Sequence, residues 1–187
     1  MTGLLKPTRL WLIATLAIVP LSGLGSAKDD MQTLDPKWEY VADTVMGGVS
    51  TGQVTQRTIA GRDAARLTGQ VSLDNNGGFV QMAFDLNTDG TAFDASGFAG
   101  VEIDLRGNGE RYELRLRTDQ LTRPWQSFRA AFAAPDAWTT LRFPFEELEA
   151  HRTEAQFDQA RLRRLGILAI GREFEADIAV SGVRLYP

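Results

Sequence analysis

Apolar and polar residues alternate along much of the chain from Val54 onward, and this pattern constrains the fold more than any other feature. Segment 101–106 reads V-E-I-D-L-R, and segment 112–117 reads Y-E-L-R-L-R. Successive side chains of a strand point to opposite faces of a sheet, so each segment is predicted to bury one face and expose the other. The residues between them, Gly107-Asn108-Gly109, favour the left-handed backbone of a tight turn. We therefore predict a hairpin over residues 101–117, with charges that pair across its polar face.

Further strands are predicted at similar spacing, with turn residues between them. They cover 65–73, 80–86, 126–132, 138–143, 165–170 and 178–185. Only 146–150 and 157–164 have a helix-forming composition, and we expect single helical turns there. Eight or nine short strands predict an all-β fold, with Phe79 or Val80 or both, and with Leu105, Leu114, Phe143 and Ile167, in one core between two sheets.

The amino-terminal segment reads as an export signal. Lys6 and Arg9 precede an apolar run over 10–24, and Gly25-Ser26-Ala27 is a small-residue cleavage site. The run is shorter than a membrane span of about 20 residues, and Pro20 interrupts it. We expect residues 1–27 to be removed, residues 28–36 to form a polar tether and residues 37–187 to form one domain. The mature protein would be periplasmic or secreted; the alternative is a retained amino-terminal membrane anchor.

Composition excludes several classes of site. The chain of 187 residues has no cysteine and one histidine, so disulfides and cysteine-ligated metals are excluded. Removal of a leader that contains Lys6 and Arg9 lowers the formal net charge from −4 to −6, which argues against nucleic-acid binding. Segment 106–112 contains G-x-G without the third glycine or the following helix of a dinucleotide site. We expect no cofactor, no nucleotide and no metal, although Asp and Asn oxygens leave calcium open.

No catalytic arrangement is evident. His151 is the one available histidine base, and its position between Ala150 and Arg152 favours a solvated loop residue. We therefore expect a protein that is not an enzyme; an unrecognised hydrolase is the remaining alternative. Among the tryptophans, Trp125 follows Arg123-Pro124 at a strand entrance and is the one candidate for an exposed ring, although packing is the favoured role even there.

Two glycine pairs mark the ends of predicted strands. Gly47-Gly48 lies in W-E-Y-V-A-D-T-V-M-G-G-V-S over 38–50, and Gly77-Gly78 lies in N-N-G-G-F over 75–79. A glycine pair permits a positive φ or a close approach of two backbones, so these residues are expected to shape two structural loops. The polar residues Asp43, Ser50, Asn75 and Asn76, with the adaptable apolar Met46, are candidates for binding a ligand or partner. The alternative is that Asp43, Asn75 and Asn76 only cap their own turns.

The segment D-T-V-M-G-G-V-S over 43–50 resembles the signature of the complex I intermediate-associated protein 30 family. The resemblance continues through L-T-G-Q-V-S-L-D-N-N-G-G-F over 67–79, the R-G-N-G segment over 106–117, the phenylalanine-rich run over 128–145 and L-G-I-L over 165–168. It implies a galactose-binding-like, jelly-roll β-sandwich that binds without catalysing a reaction. Founding members assist assembly of respiratory complex I in mitochondria.

Family resemblance and export signal point to different compartments, because the peripheral arm of complex I is built on the other side of the membrane. The resemblance favours a protein-binding assembly or chaperone-like factor whose partner is membrane-associated. A periplasmic carbohydrate-binding module, with a glycan as ligand, is the alternative. We expect the contact surface at the loops that carry Asp43 and Asn76, with Trp125 as the next candidate.

Overall fold

The computed structural model describes residues 31–187, which form two six-stranded antiparallel sheets packed face to face. The all-β sandwich predicted from the sequence is confirmed. The strands are β1 (Gln32–Thr33), β2 (Glu39–Ala42), β3 (Thr51–Ile59), β4 (Arg62–Val71), β5 (Phe79–Asp85), β6 (Gly100–Gly107), β7 (Arg111–Thr118), β8 (Ser127–Ala133), β9 (Thr139–Pro144), β10 (Glu149–His151), β11 (Leu162–Ile170) and β12 (Phe174–Tyr186).

The first sheet, sheet A, has the order β3-β4-β12-β6-β9, with β1 also paired to β12. The second sheet, sheet B, has the order β10-β8-β7-β11-β5-β2. The predicted core residues lie between the sheets: Val80, Leu105, Leu114 and Ile167 are fully buried, and Phe143 is 6% exposed. Burial of these alternating side chains from both sheets supplies the main stabilisation of the sandwich.

The hairpin predicted over residues 101–117 is wrong. β6 pairs with β12 and β9 in sheet A, whereas β7 pairs with β11 and β8 in sheet B. The chain therefore crosses from one sheet to the other at Gly107-Asn108-Gly109. Both strands still bury their apolar faces in the shared core, so the same alternation fits a crossing between sheets and a hairpin equally well.

The polar faces of β6 and β7 consequently make ion pairs within their own sheets. Glu102 of β6 pairs with Arg142 of β9 and Arg184 of β12, while Glu113 of β7 pairs with Arg115 and Arg129. The predicted pairing of charges between these two strands does not occur, since their polar faces point away from each other on opposite sides of the sandwich.

Other sequence-based boundaries also need correction. The predicted leader and residues 28–30 lie outside the described residues, but Gln32 and Thr33 of the predicted tether pair with β12, and Leu34 packs against the core. The fold thus begins before Lys37. β4 ends at Val71, so Leu73, which the alternation placed on an inward face, is 48% exposed.

Helical structure in the described residues is limited to short 3₁₀ turns at Asp43–Met46, Asp74–Asn76, Phe145–Glu147 and Gln159–Arg161. Phe145–Glu147 overlaps the start of the segment 146–150, and Gln159–Arg161 lies within 157–164, the two segments expected to form single turns; Glu149–His151 and Leu162–Ile170 are strands instead. Among residues 31–187, no helix has the length and apolar composition needed to span a membrane.

Candidate functional site

The buried carboxylate of Asp43 lies where two loops meet at one end of the sandwich. The first loop, 43–50, joins β2 to β3, and the second loop, 72–78, joins β4 to β5; together they are called the loop end. Asp43 is fully buried. Its oxygens accept hydrogen bonds from the backbone N–H groups of Ser50 at 3.0 Å, Gly78 at 2.6 Å and Phe79 at 3.2 Å, and from the Ser50 hydroxyl. One side chain thus ties both loops together.

Neutral donors, rather than a cation, stabilise this carboxylate. Burial alone would raise the pKa of Asp43, but the hydrogen bonds from Ser50, Gly78 and Phe79 outweigh burial and hold the pKa below its ordinary value. Asp43 is therefore ionised at neutral pH. A buried charge held by several fixed N–H groups fixes the positions of the loops that supply them.

The two glycine pairs each combine two different requirements. Gly47 has φ 90° and Gly78 has φ 133°, which favour glycine over residues with a side chain. Gly48 and Gly77 instead leave space for Asp43: a Cβ atom on Gly77 would lie 2.5 Å from Asp43 Oδ2, and one on Gly48 would overlap Asp43 Cγ. The glycines that were expected to shape these loops therefore lie around the Asp43 carboxylate.

Ser50 extends the connection between the loops. Its Oγ atom donates to Asp43, accepts from the N–H of Ser72 at 3.0 Å and lies 3.3 Å from the Ser72 carbonyl oxygen. The turn between β11 and β12 joins the same end, since the N–H of Gly171 donates to the carbonyl of Gly78 at 3.0 Å. The loop end is thus held at several points by hydrogen bonds within the protein.

Asp43 and Ser50 were expected to contact a partner directly, and the structure corrects this. Asp43 is fully buried and Ser50 is 1% exposed, and both side chains are hydrogen-bonded to the loops themselves. Their role in this geometry is to position the loops. Asn75 and Asn76, by contrast, are exposed and have φ values of 56° and 58°, a left-handed backbone that asparagine tolerates better than most residues.

The loop end exposes several apolar side chains. Met46 is 61% exposed, as the sequence led us to expect, and its neighbours Val45 and Val49 are 73% and 44% exposed. Leu73 of the second loop adds a further exposed apolar side chain. These four residues are called the apolar patch. Sequence analysis missed Val45, Val49 and Leu73; the available signal was a run of apolar residues, T-V-M-G-G-V, in a segment predicted to be a loop.

The candidate residue Trp125 lies elsewhere. It is 47% exposed in the connection between β7 and β8, and the preceding strand ends at Thr118, which pairs with Leu162. The loop end instead adjoins Ile170, at the other end of β11. Trp125 and the apolar patch therefore lie at opposite ends of the sandwich. The ring of Trp138 is not available for stacking by a ligand, because its indole N–H donates to the Ile59 carbonyl and Arg62 covers the ring.

Two other titratable side chains, one beside the loop end and one distant from it, have shifted pKa values. The hydroxyl of Tyr40 is buried without a hydrogen-bond partner, and burial, followed by the charge of Asp43, raises its pKa. His151 lies in β10, away from the loop end, and its pKa is lowered by burial and by Arg115, Arg129 and Arg152. Within residues 31–187, no group of three or more acidic or histidine side chains is placed to hold a metal ion.

Solved structures similar to this protein include carbohydrate-binding modules from Clostridium thermocellum. The family 11 module of the cellulosomal cellulase Lic26A-Cel5E has a TM-score of 0.67 at 10% identity, over 84% of this chain and 94% of the module. A family 11 module in complex with a mixed-linked β-1,3-1,4 tetrasaccharide has a TM-score of 0.64 at 12% identity, over 83% of this chain and 95% of that one. A family 30 module of cellulase Cel9D-Cel44B scores 0.61 at 15% identity, over 83% and 96%. At these identities, the likeness establishes the β-sandwich fold.

Sequence comparison assigns the chain to a family. No curated protein sequence matches it. The family model for complex I intermediate-associated protein 30 matches residues 28–179, which include both loops of the loop end and all but the carboxyl-terminal part of the sandwich. Family and fold together support a binding module. This protein is a member of the complex I intermediate-associated protein 30 family.

Proposed function

We propose that this protein is a non-catalytic module that binds another protein through the loop end, in an assembly or chaperone-like role. The observation that carries the proposal is the apolar patch of Val45, Met46, Val49 and Leu73 on two loops joined by a buried carboxylate. Exposed apolar residues that cluster on one surface are typical of protein contact sites. Met46 adds a flexible, polarisable side chain that adapts to irregular surfaces.

The fixed loop backbone supports recognition of a partner. Hydrogen bonds from both loops converge on Asp43, and Gly171 braces the second loop from the neighbouring turn. Loops that are ordered before binding lose less conformational freedom when the partner arrives. Exposed Asn75 and Asn76 supply polar groups beside the patch, and a polar border around an apolar centre is common in protein interfaces.

Carbohydrate binding is the alternative, and the fold of the neighbouring modules favours it. The described surface gives it less support. Of the large aromatic side chains in residues 31–187, Trp125 alone is classed as exposed, and it lies at the opposite end from the apolar patch. The aliphatic Val45, Met46, Val49 and Leu73 offer no flat ring on which a sugar could stack.

Site-specific photo-cross-linking tests the proposal. Benzoylphenylalanine replaces Met46 in one sample of the full chain and Trp125 in a matched control, and both are irradiated in cells. We expect a discrete protein adduct from position 46 and none from position 125. Excess unlabelled parent chain should suppress the adduct, whereas a V45S/L73S chain of equal thermal stability should not.

Two results would contradict protein binding at the loop end. One is the same adducts from both positions, which would indicate non-specific contact. The other is saturable binding of the parent chain to β-glucan oligosaccharides on an array, abolished by Trp125→Ala and unaffected by Met46→Ser. That pattern would favour a carbohydrate-binding module with its site at Trp125.

We also propose that the protein acts after export and cleavage following Ala27. Lys6, Arg9, the apolar run and the small-residue site motivate this location. Amino-terminal sequencing of the exported protein should begin at Lys28. Recovery of chains that begin at Met1 from the cytoplasmic fraction alone would exclude cleavage, and the partner would then be sought in that compartment.

A further inference from the structure

We propose that strand β3 is a docking edge, at which an extended segment of a partner protein adds a seventh strand to sheet A. This inference rests on the proposed function, because Val45, Met46 and Val49 of the apolar patch lie in the loop that leads directly into β3. The four terminal strands of the two sheets differ in length: β3 has nine residues, β9 six, β2 four and β10 three. The longest edge is thus the one that continues from the patch.

The geometry of the β3–β4 hairpin identifies the backbone groups that face outward. Ile59 pairs with Arg62 across a two-residue turn, in which Ala60 has φ 44° and Gly61 has φ 79°. Such a turn is closed by a hydrogen-bonded pair, and bonded pairs alternate with non-bonded pairs along an antiparallel ladder. The N–H and C=O groups of Gly52, Val54, Gln56 and Thr58 therefore point away from β4.

The outward side of β3 is open to another strand. Within residues 31–187, β3 pairs with β4 alone, and Gly52, Gln56 and Thr58 are exposed while Val54 is half-buried. Four residues with outward N–H and C=O groups offer up to eight main-chain hydrogen bonds, by count of one donor and one acceptor per residue. Main-chain bonds of this kind supply the affinity when an extended peptide adds to a sheet edge.

β3 lacks the devices that commonly prevent pairing at an edge. Its sequence, T-G-Q-V-T-Q-R-T-I, has one charged residue, Arg57, and no proline. Its register with β4 runs without a bulge over all nine residues. The opposite edge of sheet A, β9, is shorter, ends at Pro144 and concentrates its one charge, Arg142, in six residues. Short length, charge and proline are ways in which proteins protect edges, and β3 is left unprotected by comparison.

The position of the apolar patch favours a partner segment over a second copy of this chain. Val49 is 44% exposed and lies two residues before Thr51, the first residue of β3. An extended segment along β3 can place an apolar side chain on Val49 and Met46 at its end. Two copies of β3 paired antiparallel would set the start of each strand beside the end of the other and leave both patches uncovered. The expected ligand is therefore a largely uncharged extended peptide with an apolar residue at one end.

Peptide selection tests the docking edge. Random peptides of about twelve residues, displayed on phage, are selected against the full chain, and the enriched peptides are synthesised with a fluorophore for affinity measurement. Gln56→Pro removes an outward N–H that β4 does not use, whereas Gln56→Ala keeps it. We expect Gln56→Pro to weaken peptide binding by about tenfold or more and Gln56→Ala to change it by less than about twofold. Bound peptide should also slow amide exchange at Val54, Gln56 and Thr58.

Thermal melts first establish that Gln56→Pro is folded; if it is not, Thr58→Pro, which alters another outward N–H, takes its place. Failure to select any binding peptide would overturn the inference, as would affinity unchanged by the proline variant. A parent chain that is dimeric in sedimentation, with a monomeric proline variant, would assign the edge to a second copy and also overturn it. V45S/L73S, introduced into the chain that carries benzoylphenylalanine at position 46, separates the two proposals: loss of the photo-adduct with proline-insensitive peptide binding would leave the loop end valid and the edge wrong. Peptide binding that the proline variant weakens, without an adduct that depends on the apolar patch, would leave the edge valid and the loop end wrong.

Discussion

Two buried carboxylates, Asp43 at the loop end and Glu102 on the outer face of sheet A, are held in different ways. Asp43 accepts hydrogen bonds from neutral backbone N–H groups and from a hydroxyl. Glu102, 6% exposed, is held by the guanidinium groups of Arg142 and Arg184. In both cases burial by itself would raise the pKa, and the bonding groups instead hold it below the ordinary value.

The difference shows what each region requires from the fold. Arginine side chains are long and reach Glu102 from neighbouring strands, so that the regular sheet suffices to position them. The donors to Asp43 are backbone groups in two loops, which can converge only if the loops adopt one particular shape. Asp43 therefore specifies loop geometry, whereas Glu102 contributes to cohesion between strands that the ladder already aligns.

Removal of each carboxylate should produce the largest difference in stability between the two regions. Asp43→Ala leaves the N–H groups of Gly78 and Phe79 buried without an acceptor, so we expect a loss of about 3 kcal/mol or more in the free energy of unfolding. Glu102→Ala should cost about 1–2 kcal/mol, because Arg142, with a side chain 60% exposed, can bond to water instead. Urea denaturation measures both. Equal losses would show that the hydrogen bonds to Asp43 stabilise the fold no more than the ion pairs of Glu102 do.

The glycine that makes room for Asp43 gives a smaller but related effect. Gly48→Val places a side chain against the Asp43 carboxylate, and we expect a loss of about 2–3 kcal/mol from the forced rearrangement. Ser50→Ala removes one donor to Asp43 and the acceptor of the Ser72 N–H, while Asp43 keeps its three backbone N–H partners, so a loss of about 1–2 kcal/mol is expected. Thermal melts compare the two. Coincident melts of Gly48→Val and the parent would mean that the first loop moves away from Asp43 at no cost.

A change in salt concentration should produce the smallest change in stability, and this change should differ between the two carboxylates. Glu102→Gln weakens two charge pairs, and the exposed Arg142 makes one of them accessible to screening. The loss in the free energy of unfolding that Glu102→Gln causes should decrease by about 0.5 kcal/mol between roughly 0.1 M and 1 M salt. The cost of Asp43→Asn should change by less than about 0.3 kcal/mol, because its partners are uncharged and buried. A salt response of equal size would place an unrecognised cation near Asp43.

The fold could be predicted to a large extent because alternation is a local signal. The buried positions of Leu105, Leu114 and Ile167 follow from period-two patterning, which is confirmed by the structure. The placement of β6 and β7 in different sheets could not be predicted in this way, since alternation specifies which face is buried and not which strand lies alongside. Leu73 shows the same limit at a strand end, where one change of direction exposes a residue that the pattern assigns to the core.

The candidate site divides in the same way. The sequence identified Asp43, Met46, Ser50 and the two glycine pairs as one set, both from their position at strand ends and from the family resemblance. It could not distinguish a partner-binding Asp43 from a structural one, because that depends on burial and on N–H groups contributed by Gly78 and Phe79, 35 and 36 residues away. The exposed residues Val45, Val49 and Leu73 were missed for the related reason that apolar residues are expected inside.

The sequence by itself determined the all-β class, the inward faces of the main strands, the glycines at the loops and the family, because each depends on local pattern or on direct residue correspondence. Only the tertiary structure decided which strands share a sheet, that Asp43 is enclosed, that the apolar patch is exposed and that β3 is an edge. These properties arise from contacts between segments far apart in the chain. Their energies depend on which groups are removed from water together, and a local pattern does not contain that information.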